Sequence, residues 1–376
     1  MFGTFGFFGL FWGTFAVLLA DLSWALVLSP GPLGLALFAG AAASIAAMAA
    51  FGWTADRFGR RVFLMISAGV FGLGIAGLAA ADSYAALILV LIVLYAASGL
   101  YDVGINAAAV DLEKSTGRRY MALLHATFSA GGVAGALSAG ALLQFGVEFR
   151  HVYLMVLIPL FALILAVTTI RFPAPASSEQ ETDAGRYDLF GSLPLLFVAA
   201  IATLGLLSEG EMEHWSGIYL RDTVGLPALL GGSGVAVFFA AMAVGRLGAS
   251  LIISRFGNRR TLLGAGMLAV GGMTLALSTM KPAVIITGFL LVGLALSAVV
   301  PVAFSMAGDV APGRAGSAIS VVTTFGYGGF LLGPVIVGGL AELFGLRIAL
   351  GTIAIAGLMI FLLSLRLDRQ RKEQRT

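Results

Sequence analysis

The sequence contains no cysteine, and only 11% of its 376 residues are Asp, Glu, Lys or Arg. The absence of cysteine excludes a disulfide framework, a zinc–thiolate site and a thiol nucleophile. A soluble globular domain carries about 25% charged residues, because its surface must face water. The scarcity of charge therefore excludes an ordinary soluble protein and indicates that lipid surrounds most of the chain.

Histidine is scarce as well, and signatures of enzymes are missing. The three histidines, His125, His151 and His214, lie far apart in the sequence, and none has the spacing of a metal ligand. The chain has no His-Glu-x-x-His motif, no nucleotide-binding loop and no nucleophile elbow. We therefore predict that the protein is not an enzyme and that it uses no metal and no cofactor.

Long apolar segments dominate what is present, since hydrophobic residues make up 59% of the chain. A transmembrane helix needs about 20 predominantly apolar residues. Runs of roughly that length recur along the whole sequence. They predict twelve transmembrane helices near 3–20, 32–52, 62–81, 86–110, 120–144, 151–171, 189–219, 229–253, 260–280, 283–306, 315–340 and 345–365. The fold class predicted is thus an all-α integral membrane protein.

A polar segment and a short repeat divide this chain into halves. Residues 172–188, rich in Pro, Ser and acidic residues, form the longest polar break, and we predict a cytoplasmic linker there. Residues 57–61 read RFGRR and residues 255–259 read RFGNR, and each block follows the second span of its half. We expect an N-terminal six-helix bundle over 1–171 and a C-terminal one over 189–376, with pseudo-symmetry between them and a short basic cytoplasmic tail.

The distribution of Lys and Arg predicts the orientation in the membrane. With the N-terminus inside, the predicted outer loops hold only Arg150, Arg221, Lys281 and Arg347, out of 22 Lys and Arg residues. Because cytoplasmic loops carry the excess of positive charge, both termini are expected in the cytoplasm. The net charge of +3 then reflects these loops, and we expect no nucleic acid as a partner.

Residues 52–61, GWTADRFGRR, resemble the signature G-x-x-x-D-R-x-G-R-R that lies between helices two and three of major facilitator transporters. Gly52 lets helices approach closely, and Gly59 permits a tight turn. Asp56 can accept hydrogen bonds from a helix N-terminus. The simpler interpretation is a basic loop that orients the protein in the membrane. The second copy is weaker, because Ser250 and Ser254 replace the glycine and the aspartate.

The resemblance implies the major facilitator fold and a conformational latch on the cytoplasmic side. Arg60 and Arg61 would pair with carboxylates on an adjacent helix end, and we expect Glu113 to be one of them. Arg57 completes the motif. The internal repeat and the linker at 172–188 predict alternating access by rocking of two six-helix halves around a central cavity.

Further stretches resemble the fucose-permease-like branch of this superfamily, particularly its bacterial YbjJ-like members. They are GLYDVGINAAAVDLE (99–113), MALLHATFSAGGVAGA (121–136), SEGEMEHWSGIYL (208–220), AMAVGRLGAS (241–250), VVPVAFSMAGD (299–309) and TTFGYGGFLLGP (323–334). This resemblance implies proton-coupled symport of a sugar or another small polar solute. The expected partners are that solute, protons and the lipid bilayer. We expect a monomer in the bacterial inner membrane.

Ionisable residues inside a span are costly and indicate function. Asp102 lies twelve residues before Lys114, so roughly 18 Å from the cytoplasmic end of its helix. Asn106 shares its face at i+4. Asp102 is our first candidate for the proton-coupling carboxylate, and Asn106 a candidate for solute binding. The alternative for Asp102 is a structural hydrogen bond within the bundle.

The seventh helix carries Glu209, Glu211, Glu213, His214 and Trp215. A regular helix cannot direct all of them into one cavity, so either the outer end lies in water or Gly210 and Gly217 allow a break. Glu209 is the rival candidate for proton coupling. Glu213 and Trp215 are candidates for solute binding, although Trp is also common at membrane interfaces.

Arg246 lies about 13 Å deeper than Arg255, and a cation at that depth needs a partner, either Asp102 or Glu209. His125 on helix five is a candidate gate or solute-binding residue, and a packing role is equally open. Thr324 and Tyr327 on helix eleven, beside Thr323, offer hydroxyls to a solute or to the backbone.

A proton-coupled exporter of drugs or metabolites is the alternative function. The drug-antiporter pattern G-x-x-x-G-P-x-x-G is absent from helix five, which reads Gly132-Val133-Ala134-Gly135-Ala136. A partial version, Gly329 to Pro334, occurs in helix eleven. A sensor is disfavoured because we find no soluble signalling domain in the sequence.

Overall fold

The structure is a computed structural model that describes residues 1–118, 120–169, 192–311 and 314–373. Within these residues, twelve helices are long and apolar enough to cross a membrane. We label them α1 (Phe2–Ala25), α2 (Pro30–Phe51), α3 (Arg60–Ala80), α4 (Tyr84–Thr116), α5 (Met121–Gln144), α6 (Phe149–Thr169), α7 (Leu193–Ile218), α8 and α9 (the two parts of Ala228–Leu277 before and after Gly257), α10 (Pro282–Val310), α11 (Ala315–Phe344) and α12 (Gly351–Glu373). The prediction of twelve helices is confirmed. The linker predicted over 172–188 lies outside the described residues.

Local sequence signals explain where several helices begin and end. Pro30 and Pro282 occupy first-turn positions of α2 and α10, where the missing N–H costs nothing. The Ser83 side chain accepts a hydrogen bond from the Ala86 N–H and caps α4. Gly117 ends α4 with a φ of 68°, a left-handed conformation that glycine adopts without strain.

The internal repeat is visible in the backbone and in its hydrogen bonds. Gly59 before α3 and Gly257 before α9 have φ values of 81° and 77°. Arg61 Nε donates to the Val167 carbonyl on α6 at 3.1 Å. In the second half, Arg259 Nε donates to the Ser364 carbonyl on α12, also at 3.1 Å. Corresponding arginines therefore fasten the third helix of each half to its sixth.

The helix contacts divide the chain into two compact units. Unit 1 contains Met1–Ser178 together with Gly217–Ala236, and unit 2 contains Glu179–Ser216 together with Val237–Thr376. In unit 1, α1 and α5 approach so closely that a Cβ on Gly13 would collide with the Gly132 carbonyl. In unit 2, a Cβ on Gly329 of α11 would collide with the Thr203 carbonyl of α7. Small residues allow such backbone contact in membrane bundles.

Short irregular elements connect the spans. A four-residue helix, Thr54–Arg57, separates α2 from the turn at Gly59. At its C-terminal end, α7 continues into a π-helical turn, Tyr219–Thr223. Such turns change the direction in which side chains point at the end of a helix. Of the two alternatives that the sequence left open for α7, a break at Gly210 and Gly217 is not seen, since the helix stays regular through Ile218.

Candidate functional site

An ion pair lies inside the membrane-spanning helices of unit 2. Arg246 Nη2 of α8 donates to Glu209 Oε1 of α7 at 2.6 Å. The Glu209 side chain is 10% exposed and the Arg246 side chain 26%. Between the two partners that the sequence left open for Arg246, the structure pairs it with Glu209. A charge inside a span requires such a partner, because lipid offers it none.

Glu213 lies one turn beyond Glu209 on α7 and interacts electrostatically with both Glu209 and Arg246. The side chain of Glu213 is half-buried. Two carboxyl groups thus lie within the electrostatic influence of a single guanidinium group, which pairs directly with Glu209. When both carboxyl groups are ionised, one negative charge remains uncompensated, so the cluster can accept a proton or the hydrogen-bond donors of a polar solute.

The opposite face of α7 has a different character. Glu211 is fully buried, and Thr352 Oγ1 of α12 lies 3.0 Å from its Oε2. Trp215, one turn further on, is also fully buried, and its indole N–H has no hydrogen-bond partner within the part of the chain that the structure describes. The indole therefore has no face exposed for a solute to stack on in this structure. His214 contacts Phe330 edge to face, with ring centroids 5.8 Å apart.

In unit 1, α4 presents Asp102 and Asn106 together. Asn106 Nδ2 donates to Asp102 Oδ1 at 2.9 Å and to the Asp102 carbonyl at 2.9 Å. Both side chains are half-buried. Among the described residues of unit 1, no Lys or Arg forms a salt bridge with Asp102. The amide is a neutral donor, so it stabilises the carboxylate without cancelling its charge.

The signature between α2 and α3 forms an ion cluster around Arg60. Arg60 Nε donates to Asp111 Oδ2 at 2.7 Å, and Arg60 Nη1 to Asp56 Oδ1 at 2.5 Å. The side chains of Arg60 and Asp111 are 8% and 2% exposed, whereas that of Asp56 is 65% exposed. The buried partner of Arg60 is therefore Asp111, at the end of α4.

Glu113 does not pair with Arg60, contrary to our expectation. Glu113 Oε1 accepts hydrogen bonds from the backbone N–H groups of Tyr120 at 2.5 Å and Met121 at 2.8 Å. These N–H groups lie at the N-terminus of α5, at the N-cap residue and the first helical residue, where no carbonyl of the same helix is available to them. The carboxylate thus caps the next helix, and the positive end of the helix dipole favours its charge.

The remaining residues of the signature have separate contacts. Arg57 lies over the Trp53 ring at 5.7 Å, and its side chain is exposed. A Cβ on Gly52 would lie 2.5 Å from the Met48 carbonyl, so the glycine is required by its own helix end. The sequence predicted a close approach of helices at this position, and the contact observed lies within one helix.

Unit 1 also contains an ion cluster that the sequence did not indicate. Both Nη atoms of Arg221 donate to the carboxylate of Asp21, near the end of α1. The guanidinium lies over the Trp24 ring at 4.5 Å from its centroid. The Trp24 side chain donates in turn to Asp222. The only available sequence signal was two opposite charges at corresponding ends of α1 and α7, which is weak evidence.

Three further candidates have local contacts. The His125 ring packs edge to face on Phe5 at 5.3 Å. The Thr324 hydroxyl donates to the Ser320 carbonyl within α11, as the backbone alternative anticipated. Tyr327 is 39% exposed. Across the described residues, no group of three or more His, Asp or Glu side chains is placed to hold a metal ion.

Comparison with known sequences gives one consistent family. Residues 1–277 and 218–376 match the profile of the Major Facilitator Superfamily. The chain is 32% identical over 328 residues to an uncharacterized MFS-type transporter of Yersinia pestis, covering 87% of this chain and 84% of that one. It is 30% identical over 346 residues to the membrane protein MosC of Rhizobium meliloti, covering 91% and 83%.

Solved structures share the fold at low sequence identity. A variant of the nucleoside transporter NupG superposes with a TM-score of 0.83 at 14% identity, over 98% of both chains. A bacterial homologue of the human lysosomal transporter Spinster gives 0.78 at 15% identity, over 98% and 95%. A D-xylose–proton symporter gives 0.74 at 15% identity, over 97% and 95%. At these identities the likeness establishes the fold alone.

Proposed function

This chain belongs to the Major Facilitator Superfamily, a family of membrane transporters and not of enzymes, and we propose that it carries a small polar solute together with protons by secondary active symport. The observation that carries this proposal is the charge cluster of Glu209, Glu213 and Arg246 inside the spans of unit 2. An apolar cargo gives no reason to place three ionisable groups at membrane depth.

Solute recognition falls to the groups that can exchange hydrogen bonds. Arg246 presents several N–H donors, of which Nη2 is held by Glu209. Glu213 and Asn106 add an acceptor and an amide. A sugar or a related polyol, with many hydroxyl groups, matches such a mixed set of donors and acceptors. His125, Thr324, Tyr327 and Trp215 remain proposed solute contacts for other conformations of the transport cycle.

Proton coupling is assigned to Asp102. Of the two candidates, Glu209 is already paired with a cation at 2.6 Å. Asp102 has an amide at 2.9 Å and forms no salt bridge with a Lys or Arg in the described part of unit 1. Taking up a proton removes the cost of holding a bare charge among helices, so the carrier can reorient. Glu209 is the rival assignment.

The clusters at the helix ends fit conformational latches of an alternating-access cycle. The Arg60 cluster with Asp111 and Asp56 holds the ends of α3 and α4 on the side predicted as cytoplasmic. The Arg221 pair with Asp21 holds the end of α1 to the π-helical turn after α7, on the side predicted as external. We place both termini in the cytoplasm of a bacterial cell and expect a monomer in the inner membrane.

Within the superfamily, we propose that the chain belongs to the fucose-permease-like branch, and the resemblance of six sequence segments between residues 99 and 334 supports this placement. Two of the structurally similar proteins are a nucleoside transporter and a D-xylose–proton symporter, and their polar cargoes support the proposal of a polar solute.

Export of drugs or metabolites is the second candidate. The feature in its favour is the sequence from Gly329 to Pro334 in α11, where the backbone passes close to Thr203 of α7. Expression in cells would separate the two directions, because an importer increases uptake of its solute and an exporter protects growth against a toxic one.

Purified protein can be screened by thermal shift against sugars, polyols, nucleosides, amino acids and drugs. We expect a polar solute to raise the melting temperature of the native protein and to have little effect on Arg246→Ala. Arg347→Ala is the matched control. It removes the same side chain, but Arg347 donates to the Leu277 carbonyl and forms no ion pair with Glu209 or Glu213 in the described residues. A ligand that stabilises native protein and Arg246→Ala equally would contradict the proposed site.

A further inference from the structure

Helix α7 carries a third carboxyl group that the mechanism above leaves unused. Glu211 is two residues from Glu209 and from Glu213, so it projects about 200° away from each of them around the helix. Its side chain is completely buried. It faces α11, where a Cβ on Gly333 would lie 3.4 Å from Glu211 Cγ, and α12, where Thr352 meets its carboxyl group.

The hydrogen bonds around Thr352 indicate which oxygen carries a proton. Thr352 Oγ1 lies 2.7 Å from the Ala349 carbonyl oxygen and 3.0 Å from Glu211 Oε2. A hydroxyl has one proton to donate, and a carbonyl can only accept. The single proton can be shared between the two acceptors in a three-centre bond. When Thr352 donates to Ala349 across the shorter distance, however, the contact with Glu211 becomes a full hydrogen bond if the carboxyl group donates. Glu211 is then a neutral acid.

The other carboxyl oxygen leads to the same conclusion. Glu211 Oε1 is buried and has no hydrogen-bond partner among the described residues. An ionised carboxylate with one bare oxygen in a dry site is strongly disfavoured, whereas a neutral acid tolerates it. The indole N–H of Trp215, one turn along the same face, is likewise buried and without a partner.

Among the described residues, no Lys or Arg forms an ion pair with Glu211, and Arg347, two residues before Ala349, donates to the Leu277 carbonyl instead. On α7 itself the neighbouring ionisable groups are Glu209, Glu213 and His214, and Glu209 is held by Arg246. His214 Nδ1 lies 2.6 Å from the Gly210 carbonyl. The ionisable residues of α11 are Tyr327 and Glu342, and α12 has no charged residue before Arg366.

We propose that Glu211 is a proton-binding site of this protein, neutral in the packing seen here, with its proton placed between Glu211 and Thr352. Loss of the proton would leave a bare negative charge between α7, α11 and α12. That packing therefore requires the bound proton, and release must accompany a movement of α7 that admits water. The role of this second protonation step in transport rests on the proposed function.

Infrared spectroscopy tests the site without solute and without a pH gradient. At neutral pH, the native-minus-Glu211→Gln difference should contain the C=O stretch of a protonated carboxyl group. Glu342→Gln, the same change at an exposed glutamate, should leave that band in place. Thr352→Val should keep the band and move it to higher wavenumber, because the hydrogen bond to the hydroxyl is lost. This second variant keeps the test valid if Glu211→Gln fails to fold.

A pH titration tests the release of the proton. The native band should disappear as the pH is raised, together with a fall in melting temperature, and Glu211→Gln should lose less stability over the same range. A difference spectrum with only ionised carboxylate bands would overturn the site. A band that persists until the protein unfolds would overturn the release step. Native protein that shows the band but moves solute without protons contradicts the proposed symport and leaves this site standing.

Discussion

Replacing the two carboxylates that hold Arg60 should give very different losses of stability. Asp111→Asn and Asp56→Asn are the same chemical change, and each removes one negative charge that compensates the guanidinium group of Arg60. Arg60 contacts the two carboxylates at 2.7 and 2.5 Å. Distance alone would give Asp56 the stronger interaction. Burial reverses that order, because the Asp111 side chain is 2% exposed and that of Asp56 is 65% exposed.

The magnitudes follow from burial. Removing one partner of a buried ion pair costs about 3–5 kcal/mol. Since Asp56 remains to compensate Arg60 in part, Asp111→Asn should fall near the lower end, about 3 kcal/mol. An exposed ion pair contributes about 0–1 kcal/mol, so Asp56→Asn should cost less than about 1 kcal/mol. In equilibrium terms these losses correspond to roughly 100-fold and less than about fivefold.

Equilibrium unfolding in mixed detergent micelles measures both free energies. Repeating the two changes in an Arg60→Gln background isolates the pair energies, because Asp111→Asn should then lose most of its additional cost. Equal losses for the two single variants, or a larger loss for Asp56→Asn, would refute the conclusion that the buried carboxylate dominates this cluster.

Three further predictions concern the spans. Asp102→Asn should abolish proton-driven accumulation in proteoliposomes and keep solute exchange, because the amide mimics the protonated acid. If Glu209→Gln loses accumulation and keeps exchange instead, Glu209 is the coupling group. Arg246→Ala should weaken solute binding at least tenfold by calorimetry, since it removes the only cation of the cluster in the described part of unit 2. Gly13→Ala should destabilise the protein by about 1–3 kcal/mol through collision of α1 with α5, whereas Gly69→Ala, with nothing within 4 Å of its added Cβ, should be neutral or slightly stabilising.

Each of these predictions has a clear contrary result. Proton-driven accumulation that survives in Asp102→Asn with normal pH dependence leaves Asp102 a structural hydrogen-bonding residue. Unchanged solute affinity in Arg246→Ala removes the cluster from the binding site. Similar unfolding free energies for the two glycine variants mean that the helices relax apart without cost.

The spans and the repeat were predictable because they depend on local properties of the sequence. Hydropathy is enough to locate a transmembrane helix, since the thickness of the bilayer requires about the same number of apolar residues in each one. The turns at Gly59 and Gly257 both require a left-handed backbone, and each is marked by the same short motif. The sequence could not decide whether Asp111 or Glu113 pairs with Arg60, because the two carboxylates lie two residues apart at the same end of α4.

Contacts between distant segments explain what the sequence could not supply. Arg221 and Asp21 are 200 residues apart, and only the packing of the π-helical turn beside α1 brings them together. Glu113 caps α5 because the free N–H groups of Tyr120 and Met121 lie within hydrogen-bond distance of its carboxylate. Trp215 is buried because α7 turns the face shared with Glu211 toward α11 and α12. These outcomes depend on helix rotation, which hydropathy does not determine.

Proton movement driven by solute tests the central proposal most directly. The protein is reconstituted into liposomes that contain a trapped pH-sensitive dye, with no pH gradient, and the solute found by thermal shift is added outside. Symport predicts acidification of the interior as solute enters, and Asp102→Asn should take up solute by exchange without that signal. Solute entry into native proteoliposomes with no change in internal pH would contradict proton-coupled symport.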